Sequence, residues 1–280
     1  MPAIRHLFLI LLGAAMTAAA APAPPVRVVS LNPCLDAILV AVADRNQIAA
    51  LSHYARDPAA SVVVEEARTL PFTYESAEEV IALSPNLVLT SQHSSLATHQ
   101  ALAKLGTRVE LFTVPSSVEA SFADIRRIAA LTGHPERGEA LILRIRLALK
   151  QAEPPPGAVR ASALIFQPNG FAAGPGTLAD EMLTRAGFTN AAKGYGLPQW
   201  GNVSLEQLMQ DPPRLLLSGR AAATGASFAE RLLSHPALKS LSGRMTEADF
   251  PERLLFCGGP TLIPEAQALA SARRKLEARP

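Results

Sequence analysis

Neither sign of charge is in excess in this sequence. Lys and Arg together number 26, and Asp and Glu together number 24, among the 280 residues. Proteins that bind nucleic acids carry basic stripes that neutralise phosphates, and no such stripe occurs along this chain. We therefore expect no nucleic acid among its partners.

Short motifs for catalysis and nucleotide binding are missing as well. The chain has no G-x-S-x-G, no H-E-x-x-H, no P-loop and no glycine-rich dinucleotide motif behind a strand. Four of its histidines lack the mutual spacing of metal ligands: His53, His93, His99 and His134. We expect neither catalytic residues nor a resident metal or cofactor.

Long apolar runs are absent beyond the first residues. Arg5 precedes the apolar run Leu7–Leu12, and small residues follow up to Ala21. This order is typical of a secretory signal, whereas the alternative, a membrane anchor, needs about 20 strongly apolar residues. We predict an exported protein with a signal peptide over residues 1–20. Cleavage after Ala20 is favoured because cleavage after Ala21 would place Pro22 next to the cut bond.

Short apolar segments alternate with amphipathic ones along the rest of the chain. Strands are predicted in the first half at residues 27–31, 48–52, 87–91 and 109–114. Apolar strands separated by helices are typical of parallel sheets covered on both faces. The alternation resumes with a strand at 161–166 and helices at 177–186, 204–210 and 227–241. The predicted fold class is α/β, with two similar Rossmann-like lobes.

One long helix separates the two halves. Pro135 suits the first turn of a helix, and Leu141, Ile145 and Leu149 share one face before the proline run 154–156. The predicted divisions are an N-terminal lobe over 26–133, a linking helix over 134–156 and a C-terminal lobe over 157–280. A helical joint resists wide hinge motion, and ligands favour clefts between such lobes at the carboxyl ends of parallel strands.

The second lobe repeats part of the first. The segment SAEEVIALSPNLVLTS (residues 76–91) returns as SLEQLMQDPPRLLLSG (residues 204–219), with serine, glutamate, proline and two leucines at matching places. The matching glutamates are Glu78 and Glu206. Both fall in a predicted helix first turn, where the helix dipole alone favours an acidic residue.

Aromatic residues make up only 5% of the chain, yet many follow predicted strands. Loops at the strand ends supply the candidate ligand-binding residues Tyr54, Arg56, Phe72, Tyr74, His93, Phe171, Tyr195, Trp200 and Phe256. Tyrosine and tryptophan offer rigid contact area with a polar tip, so several in one cleft suit ligand binding. A single loop aromatic, by contrast, more often belongs to a small local core.

Cysteine is scarce, since only Cys34 and Cys257 occur, in opposite halves of the chain. An even pair in an exported protein favours a disulfide. Two separate buried thiols and thiolate ligation of a metal are the alternatives. A Cys34–Cys257 bridge would tie the lobes together beside the cleft and stiffen it.

Four segments follow one another along the chain: RVVSLNPCLDAIL, LSHYARDP, SAEEVIALSPNLVLTS and VSLEQLMQDPPRLLLSG. Together they resemble the periplasmic Fe/B12-type substrate-binding proteins of ABC importers. The series covers nearly the whole exported part and is most similar to the vitamin B12-binding members. The resemblance implies a periplasmic protein, which we expect to be a monomer, with two α/β lobes, one long connecting helix and a metal chelate in the cleft.

The resemblance also implies roles for individual residues. Positions of the aromatic cleft wall are matched by Tyr54, Phe72, Phe171 and Trp200. Ser91 stands where another wall aromatic is usual, and the late segment ERLLFCGGP departs from the family pattern, which leaves the ligand open. Glu78 and Glu206 match surface glutamates that engage arginines on the two subunits of an importer permease dimer.

The aromatic wall and the scarcity of cations favour a corrinoid as the small-molecule ligand. Arg56 and Arg220 support a ferric siderophore as an alternative, and His93 or Tyr54 suits the iron of haem.

Two alternatives of other classes also stay open. A periplasmic enzyme acting on a metal chelate would need His53, Asp57 and His93 to converge. A sensor outside transport would bind the ligand without docking on a permease.

Overall fold

The computed structural model describes residues 26–92, 94–219, 235–241 and 243–278. The predicted signal peptide, His93 and Arg220 lie outside these ranges. The strands are β1 (Val28–Ser30), β2 (Ile48–Ser52), β3 (Phe72–Thr73), β4 (Leu87–Ser91), β5 (Arg108–Phe112), β6 (Ala161–Ile165), β7 (Phe171–Ala173), β8 (Phe188–Asn190), β9 (Trp200–Asn202), β10 (Leu215–Ser218) and β11 (Thr246–Asp249). The helices are α1 (Pro33–Val42), α2 (Val64–Ala67), α3 (Ala77–Ala82), α4 (Leu96–Lys104), α5 (Val118–Leu131), α6 (Pro135–Ala152), α7 (Leu178–Arg185), α8 (Leu205–Gln210), α9 (Pro236–Ser240) and α10 (Leu262–Glu277). Within the described ranges, no helix combines the length and the apolarity that a bilayer crossing requires.

Each lobe is built on a parallel sheet, and the four strands of the second sheet follow the same order as β2, β1, β4 and β5 of the first. The strand orders of the two sheets are β3-β2-β1-β4-β5 and β11-β10-β6-β8. Leu87 of β4 lies between Val28 and Arg108 on its neighbouring strands. Leu215 of β10 lies in the same way between Ala163 and Thr246. The two-lobed α/β fold predicted from the sequence is confirmed, and its repeated segment carries the same central strand of each sheet.

The C-terminal lobe adds a small two-stranded antiparallel sheet that the sequence did not predict. β7 and β9 pair antiparallel, with Phe171 opposite Asn202 and Ala173 opposite Trp200. Each of these strands has only three residues, too few for an alternating pattern to be recognised in the sequence.

The largest cluster of buried apolar residues runs through both lobes without a break. It contains Val28 and Leu89 of the first sheet, Ile145 of α6, and Ile165 and Leu217 of the second sheet. Two smaller clusters cover the opposite faces of the sheets. The lobes therefore fold around a shared core and are not merely joined by a connecting segment.

Side-chain hydrogen bonds connect the N-terminal end of helix α6, and the segment before it, to α1 and the segment that follows α1. Arg137 donates to the carbonyl of Val42 at the end of α1 and to Asp44. Gln47 donates to the carbonyl of Thr132 just before α6 begins. The division of the chain into lobes at residues 133 and 157 stays a prediction.

The other end of α6 depends on Arg273 of α10, whose side chain is only 8% exposed. Its guanidinium donates to the carbonyls of Ala152, Glu153 and Ala186, at distances of 2.8, 3.2 and 2.5 Å. Ala152 ends α6 and Ala186 follows α7, so one buried cation satisfies carbonyls that two helix ends leave without partners.

A disulfide joins Cys34 in the first turn of α1 to Cys257, which precedes α10. The predicted bridge is thus confirmed. Gly258 and Gly259 follow it and pass so close to their neighbours that a Cβ would lie 2.4 Å from Ser121 Oγ and 2.6 Å from Ile38 Cγ1. Glycine is needed at these two positions for the backbone to reach α5 and α1.

One acidic group, Asp36 of α1, lies fully buried under the first sheet. The hydroxyl of Ser52 donates to its Oδ2 at 2.5 Å. Burial raises the pKa of Asp36 to about 7, and hydrogen bonds from Ser30 and Ser52 oppose this rise only in part. Asp36 therefore takes up a proton at a higher pH in the folded protein than an exposed aspartate does.

Replacing Arg273 with Gln should destabilise the fold. A buried carbonyl that loses its donor costs about 1–3 kcal/mol, so we expect the free energy of unfolding in urea to fall by about 2–4 kcal/mol. The exposed neighbour Arg274 gives the matched control, because Arg274→Gln should change this quantity by less than about 0.5 kcal/mol. Equal stability of the two variants would contradict the role assigned to Arg273.

Asp36→Asn should remove one source of pH dependence. The folded protein binds the Asp36 proton more tightly than the unfolded chain, so this group makes stability fall as pH rises from about 4 to about 7. We expect the stability of Asp36→Asn relative to wild type to rise by about 1–3 kcal/mol between pH 5 and pH 8, measured by urea unfolding. Glu247→Gln, at an exposed position, is the control, and parallel pH profiles of Asp36→Asn and wild type would refute the assignment.

Candidate functional site

The candidate site lies between the lobes, at the carboxyl end of the first sheet. A cavity of about 40 Å³ forms its floor. Its walls come from α1, α5, the ends of β4 and β5 and the segment after Cys257: Asn32, Cys34, Leu35, Ile38, Ser91, Phe112, Thr113, Val114, Pro115, Ser121, Asp124, Phe256, Gly258 and Gly259. Both lobes and the disulfide therefore contribute to the floor of the cleft.

Four rings at the ends of β2 and β3 form the N-lobe aromatic surface (His53, Tyr54, Phe72 and Tyr74). The His53 ring centroid lies 3.9 Å from that of Tyr54 and 5.2 Å from that of Tyr74. Phe72 meets Tyr74 edge to face at 5.4 Å. Tyr54, Phe72 and Tyr74 are 43%, 37% and 67% exposed, so this surface is open to a ligand.

Arg56 supports this surface from behind. Its guanidinium carbon lies 4.1 Å from the centroid of Phe72, and it donates to the carbonyls of Ala67 and Leu70. These contacts hold the ring of Phe72 in place. Because the guanidinium makes these contacts, Arg56 supports the aromatic surface in this structure.

Three rings form the C-lobe aromatic surface (Phe171, Trp200 and Phe256). Phe171 and Trp200 stack with centroids 5.5 Å apart and planes 6° from parallel. Phe256 lies 6.0 Å from Phe171 and 5.6 Å from Trp200. The pairing of β7 with β9 brings the first two rings together, and Phe256 connects them to the cavity in the floor.

Glu75, which the sequence did not single out, lies beneath the N-lobe aromatic surface. Its backbone has a φ of 72°, unusual for a residue other than glycine, and its Oε1 lies 3.8 Å from Nδ1 of His53. Both atoms are buried and neither has a hydrogen-bond partner. Burial raises the pKa of Glu75, and the nearby imidazole opposes the rise.

Asp124 of α5 is the second site residue that sequence reasoning missed. It lines the cavity in the cleft floor and is half-buried. Burial raises its pKa to about 6, with Arg127 acting in the opposite direction. An acidic residue on an amphipathic helix gives no sign in the sequence that a distant segment will cover it.

The remaining candidates are placed as follows. Ser91 lines the cavity, and Tyr195 packs instead against the outer core of the C-terminal lobe, where its hydroxyl donates to the carbonyl of Asp211. His93 lies outside the described residues. Within the described ranges, no three His, Cys, Asp or Glu side chains are grouped so as to hold a metal ion.

Glu78 and Glu206 occupy equivalent places. Each is exposed in the first turn of its helix, α3 or α8, behind a capping serine whose Oγ accepts a backbone N–H. The Glu206 carboxylate accepts hydrogen bonds from its own backbone N–H and from the Ser204 hydroxyl, which lower its pKa. Both positions therefore present a carboxylate at the start of the helix that leads into the central strand of a lobe.

Comparison with known proteins gives sequence relatives and a similar structure. A cobalamin-binding protein of Halobacterium salinarum is 25% identical over 214 residues, which cover 75% of this chain and 58% of that protein. This chain therefore spans less than two thirds of that relative's length. A vitamin B12-binding protein of Photorhabdus laumondii is 27% identical over 202 residues, 70% of this chain and 72% of that protein. A periplasmic heme binding protein from Pseudomonas aeruginosa has a TM-score of 0.70 at 25% identity, covering 89% of this chain and 92% of that one.

The model of the family described as periplasmic binding protein matches residues 28–242. This range includes both sheets except β11, the linking helix and most residues of the two aromatic surfaces. The chain belongs to the periplasmic binding protein family.

Proposed function

We propose that this protein captures a corrinoid in the periplasm and delivers it to an ABC importer. The observation that carries the proposal is the pair of aromatic surfaces, one on each lobe, of which the C-lobe surface reaches the cavity in the cleft floor through Phe256. Flat rings on two lobes suit the faces and edges of a planar macrocycle. The names of the Halobacterium and Photorhabdus relatives support cobalamin as the member of this class.

The charge of the cleft supports the same choice. An anionic siderophore is best held by several free cations, but Arg56 is bound to two carbonyls and to the face of Phe72. Arg220, the other cation considered for a siderophore, lies outside the described residues.

Haem is the second candidate. Tyr54 is 43% exposed and its ring stacks on His53, which suits a phenolate or an imidazole directed at iron. The structural likeness to the Pseudomonas heme binding protein also favours haem.

A catalytic role has weaker support. The carboxylate of Asp57 accepts from the backbone N–H of Ala59, while His53 lies next to Glu75. Among the described residues no hydrogen bond or ion pair joins His53 to Asp57, two members of the triad that the sequence suggested for an enzyme. The sequence relatives are described as binding proteins.

Titration with cobinamide, cyanocobalamin and haemin tests the proposal. Trp200 is the only tryptophan, so its fluorescence should be quenched directly by a ligand on the C-lobe aromatic surface. We expect one-to-one corrinoid binding, and a Kd raised roughly 10- to 100-fold in Phe171→Ala because a central aromatic contact is lost. Tyr195→Phe, which keeps its ring and lies away from the surface, should bind as wild type.

The outcomes separate the candidates. If the protein binds haemin tightly but no corrinoid, and Tyr54→Phe loses haemin binding, then the ligand is haem. Quenching by none of the three ligands would remove both candidates.

Docking on a permease dimer is part of the proposal and concerns Glu78 and Glu206. Two exposed carboxylates at equivalent places of two similar lobes suit a partner with twofold symmetry, each accepting a charge-assisted hydrogen bond. The alternative is that both acids only complement a helix dipole.

Glu78→Ala combined with Glu206→Ala should reduce corrinoid uptake by cells at least roughly tenfold, with ligand affinity unchanged, because rim charges act in association with a partner. The matched control is Glu65→Ala with Glu66→Ala, which removes two first-turn acids from α2. Equal uptake by the two double variants would contradict the docking role and favour the helix-dipole alternative.

A further inference from the structure

The cavity in the cleft floor is far smaller than any macrocycle. Its volume of about 40 Å³ leaves room for about three water-sized groups, since a cavity needs roughly 10–15 Å³ on this measure to hold one water. It opens beside Phe256, which also belongs to the C-lobe aromatic surface. A ring held by that surface would therefore bring one edge substituent, and no more, to the cavity.

The cavity has a hydrogen-bond donor on one wall. Oδ1 of Asn32 accepts from the backbone N–H of Cys34 at 2.9 Å, which fixes the orientation of the amide. The NH₂ group of Asn32 therefore remains available to donate a hydrogen bond. An acceptor atom on a ligand would complement it.

Asp124 supplies an acceptor on another wall. Among the described residues no hydrogen bond reaches its carboxylate, and Arg127, the nearby cation, is engaged elsewhere. The guanidinium of Arg127 lies over the ring of Phe112 and donates to Glu110 and to the carbonyl of Leu111. The carboxylate of Asp124 therefore keeps its accepting capacity for a group inside the cavity.

We propose that this cavity is a subsite for a primary amide substituent of the ligand, with Asn32 as donor to its carbonyl oxygen and Asp124 as acceptor from its NH₂ group. The proposal rests on the proposed function and makes it more specific. Corrinoids carry primary amides around the ring, whereas haem carries carboxylates. A carboxylate would meet Asn32 favourably but would be repelled by Asp124, so Asp124 is a specificity-determining residue.

Binding of cobinamide and of cobyrinic acid, which has carboxylates in place of the amides, tests the proposal. We expect wild type to prefer cobinamide at neutral pH, and Asp124→Asn to reduce that preference roughly tenfold, because the repulsion is lost. Glu119→Gln, an exposed acid on the same helix, should leave the preference unchanged. The same preference in wild type and Asp124→Asn would overturn the subsite and leave the corrinoid in place.

A fragment experiment makes the subsite testable without a corrinoid. Acetamide at millimolar concentration should shift the NMR signals of the Asn32 side-chain amide in wild type, and acetate should not. If acetamide gives this shift but the protein binds no corrinoid, the subsite is supported and the proposed ligand is rejected. Equal shifts with acetate, or none with either fragment, would overturn the subsite.

Discussion

The shape of the cleft depends on the apolar core that both lobes share. Residues of both sheets pack with Ile145 of α6 in one cluster, so neither lobe can move away without exposing the side chains between them. Arg273 fixes the second end of α6, and the disulfide with Gly258 and Gly259 holds the floor. Two surfaces held at constant separation suit a rigid ligand, since little binding energy is then lost in ordering the protein.

The repeated segment shows what the two lobes have in common and where they differ. β4 and β10 occupy the same place in the two sheets, and the helices before them present Glu78 and Glu206. The ligand-facing sides are unlike. One carries aromatic residues at the ends of β2 and β3, and the other carries them on the paired strands β7 and β9 and on the segment at Phe256. The two lobes are therefore alike at the helix starts that carry Glu78 and Glu206 and unlike in their aromatic residues.

The sequence predicted the elements whose residues are buried on both sides. Val28–Ser30 and Leu87–Ser91 were recognisable because strands covered on both faces are almost uniformly apolar. The even cysteine pair led to the disulfide. Aromatic residues in predicted loops led to six of the seven rings of the two aromatic surfaces, all except His53. Glu75 and Asp124 were not predictable, because nothing local to an acidic residue reports which distant segment will bury it.

The disulfide has a consequence for how the molecule is made. Cys34 and Cys257 are separated by 223 residues, so the bridge can close only after the segment between them has been synthesised. Until then Cys34 is a lone thiol with no partner on its own chain, because the sequence contains no third cysteine. The floor of the cleft, which Cys34 lines, is thus completed only when two segments 223 residues apart have met.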